Sequence, residues 1–298
     1  MPSEYSHCTN REWEPRGEKS TAQVTLNEGQ DELGSVVSLW RYPVKSMLGE
    51  ELNASDVTDR GLLGDRAYAV IDSADGKAAT AKNPRKWPRL FDFRAVFADP
   101  DYVDGTAPVR ITLPDGSAVT SDQDDLNQIL SGAFQREVTL RSADGVAVSS
   151  EHYWPDVDGF DYRDTVTDFT LPQGTFFDAG LVHLLTTATL DRLRELYPQG
   201  RFEARRFRPN IVVELDPGER GFAENAWVGR TLAIGPEVRL NVTAPSGRCV
   251  MTTLSQGDLP KDPGILRTLA QHNDANVGVY AAVMCGGTIR RGDPVRLE

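Results

Sequence analysis

Cysteine and histidine are scarce in this chain. Its 298 residues hold three cysteines, Cys8, Cys249 and Cys285, too few and too scattered for a disulfide framework. None of the four histidines (His7, His152, His183, His272) stands at zinc-motif spacing from another or from a cysteine, which argues against a structural zinc site. No run of 18 apolar residues occurs and the first residues carry no apolar leader, so nothing points to a membrane or to export. The expectation is a soluble, cytoplasmic protein in a reducing compartment. Positive charge is in deficit as well. A net charge of −12 argues against broad binding to nucleic acid or anionic membranes, which need cations to displace counterions. An anionic ligand must therefore find a local basic pocket. The chain also lacks a GxSxG elbow, a GxxxxGK phosphate loop and a paired-histidine metal motif, the signatures of the commonest hydrolases and nucleotide binders.

What the chain has is β texture. Residues 1–33 hold seven acidic against three basic side chains without a period of 2 or 3.6, and read as a flexible tail containing Cys8. From "SVVSLWRY" onward, short β-rich runs alternate with turn signals: "RAYAVID" before "SADGK", "VRITL" before "PDGS", "EVTLRS" before "ADG". Such spacing favours antiparallel sheet or barrel. Between about 144 and 180 the chain is rich in aspartate, aromatics and turn formers, the texture of a domain junction. The second half holds two helix signals. In "TTATLDRLRELYP", Leu190, Leu193 and Tyr197 recur behind a threonine cap and Pro198 stops the run. In "KDPGILRTLAQHN", Asp262 caps, Pro263 takes the first turn, and Ile265, Leu266 and Leu269 face inward. "NIVVELD", "EVRLNVT" and "VGVYAAVM" read as strands. The fold class is mainly β with α additions, in three parts: a tail over 1–33, a β-barrel-like domain over 34–165 and a second β domain over 166–298.

Several residues are candidates for chemistry, each with a plainer alternative. Arg201, Arg205, Arg206 and Arg208 fall within eight positions of an acidic protein and are followed by Asn210; guanidinium forks suit phosphate and carboxylate. Local pairing with acids such as Glu203 explains the cluster equally. Lys45 and Ser46 in "RYPVKSMLG" and Arg66 in "GLLGDRAYAV" occupy loops at strand ends, where a scaffold fixes a side chain and leaves it accessible; solvated surface charge is the alternative. Cys249, directly after Arg248, is either a reactive thiol, since a neighbouring cation favours thiolate, or a small buried hydrophobe. Cys285, in "YAAVMC", reads as a core residue, and His183, in "LVHLLTT", as a satisfied buried histidine.

Taken in order, "YPVKS", "GLLGDRAYAVID", "FRPNIVV", "GRCVMTT" and "GTIRRGDPV" resemble MOSC proteins, named for the C-terminal domain of molybdenum cofactor sulfurase. The resemblance runs from about residue 35 to the C-terminus. It implies an N-terminal MOSC β-barrel-like domain followed by a MOSC β-barrel domain with peripheral helices. The enzymatic relatives it points to are the mitochondrial amidoxime-reducing component and its bacterial counterparts, which reduce N-hydroxylated compounds at a molybdenum held by a pyranopterin dithiolene. By that resemblance Cys249 ligates molybdenum, a soft thiolate suiting a metal already bound by sulfur. Lys45, Ser46, Arg66, Arg208 and Asn210 match positions that hold pterin and phosphate. Asp178, Ala179 and Gly180 match a loop that touches the cofactor, and Gly247 stands two residues before the cysteine.

The chain also departs from that pattern. Relatives carry hydroxyl side chains where Ala179 and Gly180 stand, often serine where Gly247 stands, and "TTVDP" where this chain has "TTLSQ", with Ser255 replacing the aspartate. The ferredoxin signature that some relatives append is missing. The resemblance therefore implies a reductase of small N-oxygenated substrates that uses molybdenum-molybdopterin, has no integral iron–sulfur cluster and takes electrons from a separate ferredoxin or reductase. Two alternatives stay open: sulfur transfer through a Cys249 persulfide, and non-catalytic cofactor binding or carriage.

Overall fold

The structure is a computed structural model that describes residues 32–99, 107–143, 147–154, 156 and 164–298. The expected tail with Cys8 lies outside the described residues, apart from Glu32 and Leu33, which begin the first strand.

Seven strands close into a barrel. Around it run Glu32–Arg41, Ile211–Leu215, Val182–Thr186, Asn276–Cys285, Val238–Gly247, Thr231–Ile234 and Pro294–Leu297, the last pairing back onto the first. The strand nearest the front of the sequence thus closes a barrel whose other six strands come from the second half. Six of the seven pairings are antiparallel. Val182–Thr186 and Ile211–Leu215 run parallel, an arrangement that needs a crossover. The helix Thr187–Leu196 lies in that crossover. Alternation decides which residues enter the barrel: Val238, Leu240 and Val242 are fully buried while Arg239 and Asn241 between them are not. With Leu39, Leu184, Ile211, Val279 and Val295 they fill the interior. Each such side chain contributes about 1.5–3 kcal/mol relative to an exposed one.

Both expected helices form. Thr186 caps the first, its hydroxyl accepting from the Thr189 backbone N–H at 3.1 Å. Asp262 caps the second, Pro263–Asn273, accepting from Gly264 at 2.8 Å. They pack together over Phe202 and Phe207. A third helix, Leu126–Phe134, sits in a region whose texture reads as strand; it buries only Leu126 and Leu130, too short a pattern to stand out. The apparent junction region contains an antiparallel hairpin, Ser149–Trp154 with Thr165–Thr170. Cys285, expected in the core, is half-buried at the end of its barrel strand, where the inward alternation has run out. Among the described residues no helix is long and apolar enough to cross a membrane.

A second apolar core, built on Val44, Met47, Tyr68, Phe91, Phe93 and Leu130, lies beside the barrel and packs against Cys249 and Met251. The cysteine therefore sits two residues past the end of a barrel strand and against this second core.

Candidate functional site

Loops from both halves of the chain open onto one cleft. All ten residues singled out for it in the sequence line this cleft. From the front of the chain come Lys45, Ser46 and Arg66; from the loop before Val182–Thr186 come Asp178, Ala179 and Gly180; from the turn at 208–210 come Arg208 and Asn210; and Gly247 ends the strand Val238–Gly247, with Cys249 two residues beyond it.

The backbone is bent to bring them there. Ser46, Arg66 and Arg208 all adopt the left-handed region, with φ of 62°, 52° and 54°. Non-glycine residues seldom do this, and the strain, of order 1 kcal/mol each, persists where surrounding contacts over-determine it. Asp65 supplies part of that determination. Its carboxylate accepts from the Tyr42 backbone N–H at 2.7 Å and the Asn210 side-chain amide at 2.8 Å, and it pairs with Arg66. Asn210 is thereby fully committed, since its amide oxygen also accepts from the His183 N–H at 3.0 Å. It frames the cleft and has no polar atom left over for a ligand.

Three guanidiniums form one end of the cleft. Arg208 lies 4.0 Å from the Tyr42 ring centroid and donates one nitrogen to the Met47 carbonyl. Its other terminal nitrogen is buried and has no partner among the described residues. Burial, and then the charge of Arg66, push its pKa down to about 9. Arg66 stands 4.6 Å from the same ring and 5.6 Å from Phe177. Arg248 donates to Ser246 and to the Phe207 carbonyl, at 2.8 and 2.7 Å, and its buried Nε has no partner among the described residues. Arg66 and Arg208 stack on one ring, and Arg208 and Arg248 keep buried nitrogens open among the described residues; together the three guanidiniums present N–H groups that an anion would satisfy.

Two ammoniums form the other end, and both bind Asp178. Lys45 reaches it at 2.6 Å and donates also to the Phe176 carbonyl at 3.0 Å; Lys82 reaches it at 3.2 Å. Burial drives the pKa of Lys45 down to about 8 against the pull of Asp178. Burial would raise Asp178, but the two lysines outweigh it and hold the carboxyl well below the usual range. His152 approaches the same carboxylate at 3.6 Å. Burial lowers its pKa, so the ring stays neutral near pH 7.

Cys249 lines the same cleft, half-buried, with a free thiol. A buried arginine holds its loop. Arg206 donates to the carbonyls of Arg201, Thr252, Leu254 and Pro260 at 3.0–3.2 Å, pinning the turn Val250–Thr253 that follows the cysteine. The four-arginine cluster thus divides. Only Arg208 reaches the cleft; Arg206 braces it from behind, and Arg201 and Arg205 pair on the surface with Glu203 and Asp258. His183 lines the cleft, yet its ring nitrogens face the Val277 and Arg208 carbonyls at 2.9 and 3.4 Å, and burial pushes its pKa down to about 3.

The departures from the family pattern also have physical readings. A Cβ on Gly180 would meet the Tyr280 side chain at 2.5–2.8 Å, so a serine there is incompatible with Tyr280 as placed. At Gly247 the nearest atom to an added Cβ is 3.8 Å away, and serine would fit. Ser255 is exposed and lines a different groove with Trp87 and Lys261, so its change lies off the cleft. Sequence reading missed Lys82 and Tyr280. Lys82 stands in "TAKNP", where the following Asn-Pro marks a loop, the one signal the sequence holds for it, and that signal gives no position in the fold.

Two family models match the chain: the MOSC N-terminal beta barrel domain over residues 33–149 and the MOSC domain over 173–296. Among curated proteins, mouse mitochondrial amidoxime-reducing component 1 is 27% identical over 89% of this chain and 83% of its own length. The human component 1 is 28% identical and the rat component 2 is 26% identical over the same shares. Among solved structures, the YUAD protein from Bacillus subtilis aligns over 90% of this chain and 98% of its own, at 10% identity and a TM-score of 0.45. With the two models covering most of its length in order, and both barrel and cleft in place, the chain belongs to the MOSC family.

Proposed function

We propose that this protein is a molybdenum cofactor-dependent reductase of small N-oxygenated compounds, supplied with electrons by a separate protein. One observation carries the reading: a free thiol stands in a cleft ringed by five cations, two of which keep buried N–H groups without a partner among the described residues. The donor set fits the group. Cys249 offers the soft ligand that molybdenum favours. Arg66, Arg208 and Arg248 offer fixed forks for an anionic tail, and the backbone N–H groups at Ala179 and Gly180 stand in for the hydroxyls that relatives carry. Asn210 acts by position, through Asp65 and His183. When bound, the cofactor supplies two-electron oxygen-atom transfer; the protein's part is to hold it, shape the cleft and set its charge. Electrons come from a separate protein in this reading, since the sequence holds no CxxxxCxxC ferredoxin signature. The names of the amidoxime-reducing relatives support the substrate class.

The test is Cys249→Ala in protein made in a cofactor-competent host. The variant should keep its circular dichroism and melting transition, and lose reduction of benzamidoxime by at least about a thousandfold. Full turnover in the variant would overturn the ligand role. Wild-type protein that reduces no N–O compound, with one extra sulfur on the Cys249 peptide by mass spectrometry, would replace the reading with sulfur transfer.

A further inference from the structure

Lys82 is the cation of the cleft for which neither the anion-binding end nor the fold provides full employment. Its backbone is fixed: the N–H donates to Thr80 Oγ1 at 3.2 Å and the carbonyl accepts from Tyr153 at 2.8 Å. Its ammonium has three donor hydrogens, and its one ion-pair partner among the described residues is Asp178, at 3.2 Å. Lys45, by contrast, divides its ammonium between Asp178 and the Phe176 carbonyl and is almost wholly buried. The Lys82 side chain keeps 19% of its surface open, and it lines the cleft together with Cys249 and Tyr280.

We propose that Lys82 is the substrate-binding residue of this cleft, its ammonium held by Asp178 and donating to the oxygen of an N–O group that is neutral or anionic. This deepens the proposed function and rests on it. The lining carries five cations, Lys45, Arg66, Lys82, Arg208 and Arg248, against the one carboxylate of Asp178. An anionic cofactor tail bound by the guanidiniums leaves the lysine end positive. A substrate oxygen with negative charge or exposed lone pairs is attracted there, and a cationic N-hydroxy compound is repelled.

The first arm of the test needs no cofactor. Cys249 in cofactor-free protein is alkylated with iodoacetate, which is anionic, and with iodoacetamide, which is neutral, and the modified peptide is counted by mass spectrometry. The ratio of the two rates cancels the fraction of thiolate and reads the local charge. Lys82→Met should lower that ratio about five- to tenfold at low salt, and Lys82→Arg should keep it near the parent value. An unchanged ratio in Lys82→Met would overturn the proposal whatever the fate of the cofactor reading. In loaded protein, Lys82→Met should retain its molybdenum and raise KM for benzamidoxime about tenfold with a smaller change in kcat. Loss of molybdenum from that variant would make Lys82 part of the cofactor clamp and overturn the substrate role while leaving the proposed function standing.

Discussion

The two ends of the cleft solve the problem of buried positive charge in opposite ways. At the arginine end, Arg66 and Arg208 crowd over one tyrosine ring, with Asp65 behind Arg66 and buried N–H groups on Arg208 and Arg248 left open. At the lysine end, one carboxylate answers two ammoniums. The first end is incomplete without an anion; the second holds two ammoniums on one carboxylate and keeps a single net positive charge, with Lys82 still open to the cleft. Buried N–H groups left open are a binding device whose cost a ligand repays, whereas the Asp178 carboxylate, as the counter-charge of two lysines, is part of the fold.

That contrast predicts opposite responses to charge removal. Arg208→Met should produce the largest effect, a loss of retained molybdenum and pterin of about a hundredfold, measured by elemental analysis and pterin fluorescence. The empty protein should be no less stable than the parent. Exchanging an incompletely bonded buried charge for an apolar chain of similar length is often neutral or stabilising, and the methionine would keep the Tyr42 contact. A marked fall in the urea midpoint of the empty variant would show that Arg208 belongs to the fold as much as to the ligand.

Asp178→Asn should do the reverse. It leaves two ammoniums without their counter-charge, and the empty protein should lose about 2 kcal/mol at pH 7, less than a fully buried pair would cost because the side chain of Asp178 is 23% exposed. The pH dependence carries the same signature. Asp178 has a depressed pKa in the folded state, so its contribution is complete above the unfolded value near 4 and is lost as pH falls below it. Lys45, at about 8 against 10.5, binds its proton less readily folded than unfolded. Stability should therefore gain a rising component between about pH 8 and 10.5. Urea midpoints followed across pH should show both slopes in the parent, and the acid slope should be weaker in Asp178→Asn.

Much of this was legible in the sequence because it is local. The Thr186 and Asp262 caps, the first part of the strand Val238–Gly247 and the loop positions of Lys45 and Arg66 follow from spacing and turn chemistry alone. Closure of the barrel by Glu32–Arg41 was not legible, since which strand pairs with Ile211–Leu215 is decided by packing over some 170 residues of intervening chain. Lys82 escaped for a related reason. Nothing in "TAKNP" says that the loop folds back beside Asp178, 96 positions later. Asn210 shows the converse, for the motif placed it correctly at the cleft while its amide turned out to be spent on Asp65 and His183.

The arginine cluster at 201–208 gives the smallest predicted effect and the sharpest control. Four like residues in eight positions look equivalent in composition, yet burial separates them: Arg206 is fully enclosed, Arg208 nearly so, and Arg201 and Arg205 stand in solvent or half in it. An exposed ion pair gains little, because water screens the attraction and ordering two long side chains opposes it. The double variant Arg201→Ala, Arg205→Ala should therefore melt within about 2 °C of the parent and hold its full complement of molybdenum. Lost cofactor in that variant would mean that the surface network with Glu203 and Asp258 transmits to the Cys249 loop through Arg206. The division between solvent-facing and cleft-facing arginines would then have to be redrawn.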